Sequence, residues 1–468
     1  MEDFSCDVLI IGGGNAALCA ALCARENHQN VIVLETSPKD WRGGNSQHTR
    51  NLRSMHIQPT DVLSDSYSED EFWEDVWRVS GGETNEEYAR FVISQTPQII
   101  QWAKSHGVRF QPSLGGTLQL GRTNAFFLGG GKALLNAYYK RAEQLGIKIF
   151  YEHEAIDLHI QEDECKYILV KDKIVNKVSQ WRAKTYIVAS GGFESNLDWL
   201  KEAWGQKADN FLIRGTKYNQ GLMLKALIKE GAKILGSPTQ GHMVAIDARA
   251  PKYDGGIVSR VDCVSLGIVV NKNAKRFYDE GEDFWPKRYA IWGRLVANQP
   301  EEIAYSITDS KVLDKYMPSL FPPIIAESIS DLAKKLKLDE IILKQTLNDY
   351  NQKVVAGNFN HTILDDCKTK GLEIEKTHWA QKIDTPPFYC YPLRPGITFT
   401  YLGVGVTKQA EVIKQNGEVC KNLFAAGEIM AGNILSKGYV AGFGMSIGSV
   451  FGRIAGISAA NFNTKRGW

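Results

Sequence analysis

The sequence predicts an α/β fold: a parallel, dinucleotide-binding sheet interrupted by an inserted α+β segment. Three observations predict it. A continuously apolar, β-branched run, "DVLII" (7–11), leads through three glycines into a helix-forming stretch, as a strand buried on both faces should. A second apolar run, "VIVLE" (31–35), ends on Glu35 about 20 residues after the turn, the spacing of a ribose-binding acid. Near the C-terminus "NLFAAGEIMAGNILSKGYVAGFGMSIGSVFGRIAG" (422–456) repeats the order of strand, glycine turn and helix start, so both ends of the chain offer contacts to one long ligand.

Taken in order, Gly12 and Gly14 match the first two glycines of G-x-G-x-x-G. The third position is Ala17, which suffices where only close helix packing is needed. Gly12, Gly14, Asn15, Ala16, Glu35 and Thr36 are therefore expected to bind a cofactor's phosphates and ribose. "FFLGGGKALLNAYYKRAEQLGIKIFYEHEAIDL" (126–158) reads as glycine turn, helix and strand. "QEDECKYILVKDKIVNKVSQWRAKTYIVASGGF" (161–193) reads as a β-meander and a buried strand ending at Ser190, Gly191 and Gly192. Near 242 the character changes to mixed loops and a short strand. A helical stretch at 328–354 follows, with Ser330 as N-cap, and "THWAQKIDTPPFYCYPLRPG" returns to the first domain. The expected division is 1–241, 242–380 and 381–468.

Composition excludes several classes. The 468 residues are 43% hydrophobic, and 55 basic against 53 acidic side chains leave a net charge of +2, which supports neither nucleic-acid binding nor a polybasic membrane surface. Eight cysteines lie scattered without a CxxC pair, so no zinc, iron–sulfur or c-type haem framework is written here, and a reducing cytoplasm is expected. "VLIIGGGNAALCAALCA" is apolar, but glycines and Asn15 interrupt it and it falls short of the about 20 residues of a span. No signal peptide or membrane span is expected. NAD and FAD share the glycine fingerprint; contacts from both chain ends favour the longer FAD.

With these motifs quoted, the chain resembles the flavoprotein family of fumarate reductase and succinate dehydrogenase, and within it most nearly the tricarballylate dehydrogenases. The resemblance runs through "LIIGGGNAAL", "RGGN..HTRN.R", "RFYDEGEDFWPKRYAIWGR" and "GEIMAGN.L.KGY.AG" and spans nearly the whole chain. It implies a Rossmann-like FAD-binding domain of the glutathione-reductase-like, ββα/β three-layer kind, with an inserted α+β capping domain. It further implies FAD contacts from Arg42, Gly43, Gly44, Asn45, His48, Thr49, Gly130, Gly131, Ala155, Ser190, Gly191, Gly192, Gly427, Glu428, Gly444, Met445, Ser446 and Ile447. His48 lies near the place where succinate dehydrogenase links FAD covalently, but its local frame differs, and a non-covalent FAD is expected.

Removing hydrogens from a CH–CH bond beside carboxylates is too oxidising a task for NAD; a flavin takes the hydride while a base takes the proton. The site then needs cations and N–H donors to clamp the carboxylates. Pro286 sets a helix start, which would place Arg288 against the positive end of the dipole. By resemblance Arg288 is the proton acceptor; by charge alone it is an ion-pair partner of Asp279, Glu280, Glu282 or Asp283. Arg276 matches the family's relay arginine, but the relay glutamate is Asn273, so the path would reroute through Glu280 or Arg276 would be a plain ion pair. His242 matches a carboxylate-binding histidine. A second histidine is replaced near Thr400, and a clamp arginine by Lys437 or Tyr439. Arg50 and Arg53 offer cations for a third carboxylate or are solvated charges.

The expected function is an FAD-dependent dehydrogenase of a small di- or tricarboxylate, tricarballylate to cis-aconitate in type. It would pass electrons to a separate acceptor, such as a membrane-bound iron–sulfur or haem protein. The alternatives are a ketosteroid dehydrogenase, for which Tyr289, Tyr401 and Tyr439 speak, a fumarate-reductase-like enzyme running in the reducing direction, and a non-catalytic flavin-binding or assembly protein.

Overall fold

β1 (Ser5–Ile11), α1 (Asn15–Glu26) and β2 (Val31–Glu35) form the expected βαβ unit in the computed structural model, which describes residues 5–113, 120–256 and 259–467. β1 pairs in parallel with β2 (Val8 opposite Val31) and with the strand Lys177–Val188 (Leu9 opposite Tyr186). Strand Lys148–Tyr151 extends this sheet beyond β2, and Val419–Ala425 extends it in parallel on the other side. Every residue of β2 is buried, which is why these strands read as unbroken apolar runs. The antiparallel meander expected at 161–193 is present, and its last strand does double duty. Lys177–Val188 begins paired to Glu164–Asp172 and ends inside the parallel sheet, delivering Ser190 and the glycines after it.

The C-terminal helix Phe443–Lys465 lies along α1. A Cβ at Gly452 or Gly456 would collide with the carbonyl oxygens of Ala16 and Ala20, so the two helices approach through glycine. Phe443–Lys465 is long and apolar enough to cross a bilayer, and 72% of its most apolar window is buried in this fold.

A second, antiparallel sheet runs in the order Gly241–Asp247, Phe388–Thr400, Ala304–Asp309, Ile268–Asn271. Helices Ile329–Leu336 and Glu340–Lys353 cover it through a separate core that includes Leu332, Leu336, Leu343, Leu347 and Tyr350. The helical stretch is thus two helices, broken at Lys337, whose φ of 54° no continuing helix tolerates. Ser328, not Ser330, is the N-cap, accepting from the Asp331 N–H at 3.1 Å, because the first turn starts early enough to pack Ile329 on the core. The return strand also differs from expectation. Phe388–Thr400 forms the centre of the second sheet, and the chain re-enters the first only at Glu411–Ile413.

Candidate flavin and substrate site

A large cavity lies where the turn after β1, the end of β2 and the glycine-rich C-terminal segment meet the second sheet. It holds roughly 1580 Å³ of empty space, open solvent included. Its walls fit FAD. Gly12 has φ +110°, and a Cβ there would strike the Ala189 carbonyl oxygen, so the chain can turn only as glycine. Gly14 caps α1 without a side-chain bond and the first turn carries no acid, leaving N–H groups for phosphates. Gly442 caps Phe443–Lys465 in the same open manner. Glu35 lines the cavity, held by N–H groups of Ser37 (2.9 Å) and Gly43 (3.1 Å).

Eighteen of the expected cofactor residues line this cavity: Gly12, Gly14, Asn15, Ala16, Glu35, Thr36, Gly43, Gly44, Asn45, His48, Thr49, Ala155, Ser190, Gly191, Gly427, Glu428, Gly444 and Met445. Six stand behind its wall. Arg42 stacks on Tyr139 and donates to Asn136. Gly130 and Gly131 back the 46–49 segment, where a side chain on Gly131 would strike the Ser46 carbonyl. Gly192 leaves room beneath Glu428 and Thr400. The Ser446 hydroxyl donates to the Arg53 carbonyl at 2.6 Å, and Ile447 is core. His48 does line the cavity, with Nε2 2.9 Å from Asp254.

Of the expected catalytic residues, His242 and Tyr439 line the cavity, while Arg288, Arg276, Lys437 and Thr400 do not. The helix that begins at Trp285 is only four residues long, so Arg288 is its last residue and precedes the turn Tyr289–Ile291. Its guanidinium donates to Glu282 (Nε at 2.7 Å) and to the Tyr278 hydroxyl at 3.0 Å. Burial draws its proton affinity down, but Glu282 and Tyr278 outweigh this and raise it above the ordinary value, the reverse of what a base needs. Arg276 is clamped on Glu280 (3.0 and 2.6 Å) and on the Ile374 carbonyl, as the ion-pair alternative has it. Lys437 reaches out to Glu83 at the surface. Thr400 is buried on Glu428, its N–H donating at 2.7 Å.

Other cations take the place of Arg288. Arg50, Arg214 and Arg260 line one end of the cavity around Tyr289. Arg260 is paired with Asp262 (2.5 and 2.8 Å) and lies over the Tyr289 ring, 5.1 Å from its centroid. Arg214 bonds only the Gly256 carbonyl and the Thr398 hydroxyl, and Arg50 lies over Phe126. Among the described residues Arg50 and Arg214 have no carboxylate partner. Burial, then neighbouring guanidiniums, pulls both down to about 10, which leaves them charged at neutral pH. Three guanidiniums face one carboxylate. Arg53, by contrast, is buried on Asp75 and Tyr67. Arg214 and Arg260 stand in no motif; only the approach of the second sheet brings them here.

His242 is buried and its Nε2 has no hydrogen-bond partner among the described residues. Burial, then Arg214 and Arg260, drives its pKa well below the ordinary value, so the ring is neutral. It stacks on Tyr439 at 4.2 Å and meets Tyr289 edge-on at 5.2 Å. The Tyr439 hydroxyl accepts from the Gly444 N–H at 2.8 Å, which leaves its own proton to donate. The Tyr289 hydroxyl makes no hydrogen bond among the described residues and faces the arginine cluster.

The NADH:fumarate oxidoreductase of Klebsiella pneumoniae is 25% identical over 476 residues, 97% of this chain and 48% of that protein. The vinyl phenol reductase of Lactiplantibacillus plantarum is 23% identical over 482 residues, 92% of this chain and 90% of that one. This chain spans about half the length of the former, as it does of the NADH:acrylate oxidoreductase of Vibrio harveyi (50%). A flavocytochrome c3 fumarate reductase in its open conformation superimposes with a TM-score of 0.75 at 21% identity, covering 98% of this chain and 78% of that one. The 3-ketosteroid-Δ4-(5α)-dehydrogenase of Rhodococcus jostii RHA1 follows at 0.74 and 20%, covering 98% and 97%. These structures share the fold. Residues 7–446 match the family described as FAD binding domain, and the chain belongs to that family of FAD-binding flavoproteins.

Proposed function

We propose that this protein is an FAD-dependent oxidoreductase acting across a CH–CH bond of a small, doubly charged carboxylate. The observation that carries this reading is the pair Arg50 and Arg214, two cations facing the cavity without a carboxylate of their own. Buried charge left uncompensated is costly, so a ligand that brings two negative charges is selected over a neutral one. Arg260 already has Asp262, so the third carboxylate of tricarballylate would compete for an occupied guanidinium. The reading therefore moves from a tricarboxylate toward a dicarboxylate. Fumarate and acrylate in the names of related proteins support the reducing direction.

Within this reading the bound flavin supplies or accepts the hydride. Arg50 and Arg214 hold the carboxylates, and neutral His242 offers Nε2 as a further bond. Tyr289, next in sequence to Arg288 but facing the cavity, exchanges the proton. The three surrounding guanidiniums favour its phenolate, which compensates part of the burial that raises its pKa. The electron partner is proposed to be a separate redox protein.

Anaerobic flavin spectra tested against fumarate, succinate, tricarballylate and a ketosteroid decide between readings. A dicarboxylate that reoxidises the reduced flavin or bleaches the oxidised one supports ours. Turnover of the steroid with indifference to all acids would sink it and favour the ketosteroid alternative, to which Phe399, Tyr289 and Tyr439 in the wall belong. Tyr289→Phe should cut turnover about 10²–10⁴-fold with ligand binding retained.

A further inference from the structure

Glu194 and Glu428 form a pair that no other part of the site accounts for. Both are buried, Glu194 completely and Glu428 at the cavity wall beside Gly427. Glu194 Oε1 accepts from the side-chain amides of Asn45 and Asn219, each at 2.6 Å. Glu428 Oε1 accepts from the Thr400 N–H at 2.7 Å and its hydroxyl at 3.1 Å. Glu194 Oε2 is buried without a hydrogen-bond partner among the described residues, and the carboxyl beside that of Glu194 is Glu428, another acceptor. Two acceptors are thus neighbours with no donor between them among the described residues. Only a proton joins them.

The surroundings offer no other compensation. Asn45, Asn219, Thr400, Tyr401 and the backbone of 191–193 face the pair, and among the described residues no Lys, Arg or His forms an ion pair with either carboxyl. Tyr401 is the titratable neighbour, and burial pushes its phenol well above the ordinary range. The glycines make the space: a Cβ at Gly192 would strike Glu428, and one at Gly191 would press on Asn219.

We infer that Glu194 and Glu428 act as one acid, sharing a proton across the Glu194 Oε2 contact, and that this acid takes a further proton from solvent when two electrons reach the FAD held in the adjoining cavity. The electrons come from substrate or from the redox partner and stay on the flavin. In the protein one O–H bond forms on a carboxylate oxygen and none breaks. The inference rests on FAD binding alone and not on the identity of the substrate. The titration is consistent with it: burial pushes Glu194 up to about 7, and burial with the Glu194 charge lifts Glu428 well above the carboxylate range. A pair that holds one proton has a vacancy that added negative charge nearby would fill.

Spectroelectrochemical titration of the FAD-loaded protein from about pH 6 to 8.5 tests this, comparing wild type with the double variant Glu194→Gln, Glu428→Gln. A further proton per two electrons steepens the fall of midpoint potential with pH by up to about 30 mV per pH unit. The wild type should show that excess between about pH 7 and 8, and the double variant should lack it. Equal slopes would overturn the inference. Should the variant fail to retain FAD, infrared difference spectra of the wild-type holoprotein decide. A carboxylic C=O band that grows on reduction and shifts in deuterium oxide supports the pair, and no such band overturns it.

Discussion

Arg214 and Arg288 show how little residue type says about role. Arg214 is buried and Arg288 half-buried, but Arg288 spends its donors on Glu282 and Tyr278 while Arg214 meets neutral oxygens among the described residues. Arg214→Gln should therefore weaken a dicarboxylate such as fumarate about 10–100-fold, read by flavin absorbance titration, whereas Arg288→Gln should change it less than about twofold. His242 gives a pH prediction whose sign follows from its environment. A histidine held neutral in the fold has a folded pKa below its unfolded value of about 6.5, so the unfolded chain binds the extra proton and stability is lost as pH falls below that value. Thermal unfolding from pH 7.5 to about 5 should drop more steeply for the wild type than for His242→Gln. Part of this was legible: "TQGHMVAID" marks His242, and its context suggested a ligand-facing role. That Nε2 would be left unpartnered beside Tyr439 was not legible, since three separate segments make that pocket.

At the scale of elements, hydrophobic pattern was a reliable guide wherever an element is buried on both faces. β1, β2 and α1 read directly, because their burial is nearly complete and their turn demands glycine. The short helix Trp285–Arg288 misled, because a proline and an acidic run mark where a helix begins and say nothing of where it stops. The contact between α1 and Phe443–Lys465 carries its own test. Gly456→Ala puts a methyl into the Ala20 carbonyl, so the helices must separate, with a cost of about 1–3 kcal/mol measurable by urea unfolding and a weakened hold on FAD.

Across the whole molecule, distant segments are tied together by charge as well as by core. Asp75, on the helix Glu69–Val79, receives Arg53 at 2.7 Å, the Tyr67 hydroxyl at 2.8 Å and Lys287 at 2.6 Å, while neighbouring Arg78 reaches Asp283 at 2.9 Å. These bonds fasten the 283–288 segment to the N-terminal part of the chain. Asp75→Asn leaves Arg53 buried without its counter-charge and should cost about 3–5 kcal/mol in equilibrium unfolding. By itself the sequence determined the βαβ unit and the glycine turns, because each depends on residues close together in the chain and on rules that hold locally, and two such motifs at opposite ends of the chain gave the preference for a long dinucleotide. Only the tertiary structure decided which arginines face the cavity, that Tyr289 and not Arg288 points inward, and that Glu194 meets Glu428. Those outcomes depend on which distant segments approach one another and on which charges remain unpaired once they do, and neither is encoded by local spacing.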